Sequence, residues 1–107
     1  MEIKFSHNWN NKLSGQVFTT IRNSSNEKGE YYTNQIGKTF DVWLKGQNVI
    51  KKAVLVNVRP IQYNKIPLSL IAVDTGIVDV NKQIDLFKRF GMKETYSIML
   101  VLTFDSI

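Results

Sequence analysis

The chain has 107 residues, with 14 Lys and Arg against 9 Asp and Glu, a formal charge of +5, and no cysteine. Its length suits a single domain over residues 1–107 with a core that needs no cross-links, and without thiols there are no disulfides, thiolate nucleophiles or thiolate metal sites. One histidine, His7, cannot build a multi-histidine metal centre, and no apolar run approaches the ~20 residues of a membrane span, so no cofactor, no membrane partner and a cytoplasmic location are expected.

In chain order, Met1 to Ser6 alternates Ile3 and Phe5 against Glu2 and Lys4, which predicts a short strand with one buried face. Asn8 or Asn10 then caps a short helix with Trp9 and Leu13 on one side, ended by Gly15. The Gly15 backbone is free to take positive φ. Val17 to Arg22 is β-branched and reads as a strand, in which alternation sends Thr20 and Arg22 to one face. Asn23 to Gly29 is polar and turn-forming and predicts an exposed loop. After Tyr31 and Tyr32, Thr39 to Leu44 reads as a strand with Phe40, Val42 and Leu44 on one face and Thr39, Asp41 and Trp43 on the other.

Lys45 to Asn48 predicts a hairpin turn into a long strand, Val49 to Pro60, whose centre Ala53-Val54-Leu55-Val56 is apolar on both faces and so expected to be covered on both. Pro60 loosens its end. Pro67 begins a helix through Leu70 and Ile71 that Asp74-Thr75-Gly76 closes as a turn. Asp79 caps a clearer helix to Phe90, with Val80, Ile84, Phe87 and Phe90 as an apolar stripe, Lys88 and Arg89 in the last turn, and Gly91 as its stop. Tyr96 to Phe104 is the final strand. Five or six strands with two or three short helices in irregular order predict an α+β fold with a curled or closed sheet.

The positive charge belongs to the first part of the chain: Met1 to Lys65 holds ten basic and four acidic residues, the remainder four and five. Such an imbalance suits a polyanionic partner. A hydroxyl and a guanidinium side by side at the mouth of a small barrel can hold a phosphate, a carboxylate or a base edge, because Arg offers a fixed fork of donors. A strand-end Arg can equally pair with a surface carboxylate.

Gly15 followed by Thr20-Ile21-Arg22, a strand introduced by Ile36-Gly37-Lys38, a long apolar strand, Asp74-Thr75-Gly76, a helix ending in Leu86-Phe87-Lys88-Arg89-Phe90 and a C-terminal strand resemble the ASCH domains of the PUA-like superfamily. The resemblance covers nearly the whole chain. It implies a small β-barrel with helices around its open end and an association with RNA, including modified nucleosides. Members that resemble nucleoside amidohydrolases carry a Lys, Thr and Glu set. Here Gln16 and Val17 stand where the lysine is expected and Val56 and Asn57 where the glutamate is, so Thr20 alone matches.

The expected function is therefore an RNA- or nucleotide-binding module. Thr19, Thr20 and Arg22 would grip phosphate or a base edge, Tyr31, Tyr32 or Trp43 would stack, and Lys38, Lys45 and Arg59 would neutralise backbone charge. A threonine hydrolase is the enzymatic alternative, with Thr20 dependent on Lys12, Arg22 or Asp41 as helper. A protein-interaction module on the same scaffold is the third reading.

Overall fold

The computed structural model describes residues 1–24 and 26–107, and of 26 and 27 the backbone alone. Among these residues one five-stranded mixed sheet carries the fold. Its strands are β1 (Glu2–Phe5), β2 (Val17–Asn23), β3 (Thr39–Leu44), β4 (Asn48–Gln62) and β5 (Ile98–Ser106), in the order β1-β3-β4-β5-β2. β1 runs parallel to β3, and the other neighbours are antiparallel. The sheet curls into a half-barrel whose edges are β1 and β2, with the helices α1 (Asn26–Thr33), α2 (Leu68–Thr75) and α3 (Val80–Arg89) around it. Short 3-10 helices cover Trp9–Ser14 and Tyr63–Lys65.

Curling follows from bulges, which add a residue to one strand and increase its twist. In the β4–β5 ladder Leu55 faces Phe104 and Asn57 faces Thr103, which leaves Val56 without an opposite number. The sequence expectation of a doubly covered Ala53–Val56 centre fails here: Ala53 and Leu55 are buried, but the bulged Val56 is 45% exposed. The strand covered on both faces is β5. Its Leu100, Leu102 and Phe104 join Ile3, Phe5, Phe18, Phe40 and Leu55 inside the half-barrel, while Met99 and Val101 pack with Ile21, Ile71 and Phe87 beneath the helices.

Other departures have local causes. Ser25 lies outside the described residues and Ser24 is irregular, but the stretch read as a loop is otherwise regular: β2 runs to Asn23 and α1 begins at Asn26. This helix contains Gly29 and lacks an apolar stripe; the Thr33 hydroxyl donates to Gly29 O within it, and tertiary contact holds it to the sheet, with the Tyr32 ring stacked 6.5 Å from that of Phe40. In α3 the buried face is Gln83, Leu86 and Phe87 with Ile84 beside it, while Val80 and Phe90 are exposed. Asp79 caps this helix as expected, accepting from Lys82 N at 3.0 Å. β5 starts at Ile98, two residues later than expected, and Tyr96 lies in the preceding turn.

Gly15 is extended, at φ −77°, so its value is its size: a Cβ would meet Val17 O at 3.2 Å. The left-handed conformations belong instead to Asn10 and Asn11, at φ 53° and 54°, which let the chain kink within the first 3-10 helix. Gly76 ends α2 at φ 75°, and a Cβ there would lie 3.2 Å from Asn10 Cβ. Gly76→Ala is expected to cost about 1 to 2 kcal/mol and to lower the melting temperature by roughly 5 to 15 °C. An unchanged melting curve would contradict this close packing of α2 on the Trp9–Ser14 segment.

Candidate functional site

Among the described residues no backbone ladder joins the two sheet edges. Side chains cross the seam instead: Phe5 of β1 meets Phe18 of β2 edge-to-face at 6.2 Å, and Arg22 Nη2 donates to Lys4 O at 2.9 Å. Beside this seam, between β1 and the helices α2 and α3, lies a cavity of about 380 Å³. Thr20 and Arg22 project into it, with Lys4, Phe5, Trp9 and Lys12 on one side and Asp74, Thr75, Phe87 and Phe90 on the other.

The period-two alternation of β2 puts Thr20 and Arg22 on one face, and Arg22 Nε donates to Thr20 Oγ1 at 3.1 Å. The guanidinium also lies over the Phe5 ring, 4.9 Å from its centroid. Both hydrogen-bond partners are neutral, and among the described residues no carboxylate lies within ion-pair distance of Arg22. Burial lowers the affinity of Arg22 for its proton, and Tyr32 and Asp74 restore part of it. An arginine stays charged under such conditions, so the cavity contains a cation whose partners compensate it only in part.

A second cluster forms the wall. Lys12 Nζ meets Asp74 Oδ1 at 3.0 Å, with side chains only 8% and 4% exposed, and Thr19 donates to the same oxygen at 2.9 Å. Burial lowers the Lys12 pKa, the Asp74 charge and hydrogen bond oppose that shift, and the nearby Arg22 adds to it. Asp74 is brought here by α2, whose end is tied down where Asn10 Nδ2 donates to Val73 O at 2.9 Å. Thr19 points away from Thr20 and faces a shallower hollow on the far side of the ion pair.

Of the residues read from sequence, Thr20 and Arg22 meet in the cavity and Thr19 buttresses its wall. Tyr32 sits on α1 between Tyr31 and Phe40 and is no part of the lining. Trp43 is half-buried on β3, with Lys4 Nζ 5.7 Å from its ring centroid, so it borders the site only through Lys4. Lys38, Lys45 and Arg59 are exposed elsewhere, before β3, in the β3–β4 turn and on β4. Asp41, one of three helpers considered for Thr20, faces outward to Lys52 at 3.5 Å.

Sequence reasoning passed over Trp9 and Phe90, whose rings meet at 6.4 Å at the cavity. The available signal was Phe90 itself, a fourth apolar residue that the α3 stripe does not need; it is 51% exposed. His7 packs edge-on against Trp9 at 4.8 Å. Among the described residues there is no group of three His, Cys, Asp or Glu that could hold a metal ion, and no helix long and apolar enough to cross a membrane.

No protein-family model matches the chain, and no curated protein matches it either. Its fold is similar to solved structures. A protein of Enterococcus faecalis described by family DUF984 superposes with a TM-score of 0.68 at 12% identity, over 100% of this chain and 76% of that one. An ASCH domain from Lactobacillus crispatus gives 0.59 at 18% identity, over 89% of this chain and 67% of that one. The chain therefore has an ASCH-like, PUA-like α+β fold.

Proposed function

We propose that the cavity binds a nucleotide, free or within RNA, with Arg22 and Thr20 on phosphate or a base edge and Trp9 or Phe90 against the base. The observation that carries this reading is Arg22: a guanidinium drawn from water, held by two neutral oxygens, and without a counter-ion among the described residues. An incompletely compensated buried cation costs stability, and an anionic ligand would offset that cost. The half-buried Trp9 ring and the exposed Phe90 ring beside it supply stacking faces, and the ASCH resemblance implies RNA as the polymer. The cavity volume also falls in the range of small-molecule sites.

Titration of tryptophan fluorescence with single-stranded RNA tests this, with Trp9→Phe to separate the Trp9 signal from that of Trp43. Binding should weaken steeply with added salt. Phe90→Ala should weaken it by about 1 to 3 kcal/mol with the melting curve nearly unchanged, since this ring is half outside the core. Salt-insensitive or absent binding counts against the reading.

One observation favours the hydrolase alternative. Thr20, Lys12 and Asp74 line one cavity, so a hydroxyl, an amine and a carboxylate do meet, although the sequence match offered Thr20 alone. In the geometry observed Lys12 is engaged by Asp74, and the Thr20 oxygen accepts from Arg22. Activation of Thr20 would require Lys12 to leave Asp74. Release of the acyl group from an acylated nucleoside, lost in Thr20→Ala, would establish this activity; equal turnover in that variant would remove Thr20 from it.

A further inference from the structure

We propose that the cavity selects a singly charged phosphodiester over a doubly charged phosphomonoester, and that Asp74 sets this limit. The inference rests on the nucleotide reading above and adds the charge state of the ligand. Lys12 and Asp74 face each other at 3.0 Å in near-complete burial, so together they contribute no net charge to the interior. Among the described residues what remains inside is the single positive charge of Arg22, with its Nε and one Nη already directed at Thr20 and Lys4. One negative charge on the ligand balances that cation.

A second negative charge has no counterpart inside among the described residues. Asp74 Oδ1 is occupied by Lys12 and Thr19, and Oδ2 makes no hydrogen bond among the described residues. A doubly charged phosphate would set an unbalanced oxygen against a carboxylate where little water screens it. Among the described residues the remaining charged members of the lining are Lys4 of β1 and Lys28 of α1, both exposed and so screened by solvent and salt. α3 presents Leu86, Phe87 and Phe90, and β5 presents Met99, none of them titratable. His7 lies behind Trp9.

The test uses the full chain, the four nucleoside 5′-monophosphates and their methyl phosphodiesters, which differ by one methyl group and one ionisation. Affinities are measured at pH 7.5 and pH 5 by tryptophan fluorescence or calorimetry. At pH 7.5 the methyl diester should bind at least about ten-fold more tightly than the monophosphate of the same base. That gap should close at pH 5, because the second phosphate ionisation lies near pH 6. Asp74→Asn should narrow the gap at pH 7.5, and the wild-type pH series stands without that variant if it fails to fold.

A monophosphate that binds as tightly as its diester at pH 7.5, or a gap indifferent to pH, overturns the charge limit and leaves nucleotide binding intact. If RNA binds but neither mononucleotide does, the charge limit fails and RNA is held on another surface. If nothing binds, both readings fail.

Discussion

Arg22→Met is expected to lower RNA or nucleotide affinity by about 2 to 3 kcal/mol, roughly 30- to 150-fold, with Arg22→Lys recovering only part of the loss. Hydrogen bonds to a charged partner are the strong ones, and the low dielectric around a buried guanidinium strengthens them further. Lysine restores the charge but not the planar fork that reaches Thr20, Lys4 O and a ligand at once. The effect on stability should be much smaller. Methionine keeps the contact with Phe5 and removes an ion that burial disfavours, at the cost of leaving Lys4 O without its Arg22 donor. Binding constants and melting curves for the two variants separate these roles. Affinity unchanged in Arg22→Met would make the residue a structural clasp of the seam and nothing more.

The largest change in stability is expected at Asp74. Asp74→Ala leaves the Lys12 ammonium buried without its counter-ion and frees the Thr19 hydroxyl, and should cost about 3 to 5 kcal/mol, a large share of the stability of a small domain. Replacing both partners, as Lys12→Met with Asp74→Leu, should restore most of it, because a hydrophobic pair carries no desolvation penalty. The pH dependence has a definite sign. Burial places the folded-state pKa of Lys12 below its unfolded value of 10.5, so between the two the unfolded chain binds more protons and stability rises with pH. Asp74 opposes that depression; without it the window widens, and Asp74→Ala should regain stability more steeply than the wild type as pH rises toward 10.5. Chemical denaturation from pH 7 to 10 measures this. A cost below about 1 kcal/mol at pH 7 would mean that Lys12 reaches water in the variant.

How much of the site could be read beforehand depended on sequence distance. Thr20 and Arg22 are two apart on one strand, and strand alternation alone places them together. The hairpin from β3 to β4, the cap at Asp79 and the stops at Gly76 and Gly91 are also local and were legible. Lys12 and Asp74 are 62 positions apart and meet only because α2 packs on the first 3-10 helix. On its own, Lys12 reads as a helix-end cation and Asp74 as part of a turn. Trp9 and Phe90 escaped for the same reason, since an aromatic residue looks like core until its neighbours are known. α1 was hidden differently: its Gly, Tyr and Thr content argues against a helix, and contacts with the sheet override that preference.

The open seam has a consequence for how such a site can change. Because Phe5, Phe18, Arg22 and the Lys4 carbonyl span the gap, and no strand pairing does so among the described residues, its width is governed by replaceable side chains rather than by strand register. In a fully closed cylinder, admitting a bulkier guest would mean shearing a ladder. Here substitutions at Phe5 or Arg22 can resize the opening while every pairing from β1 round to β2 stays intact, which gives the scaffold room to acquire new ligands without refounding its architecture.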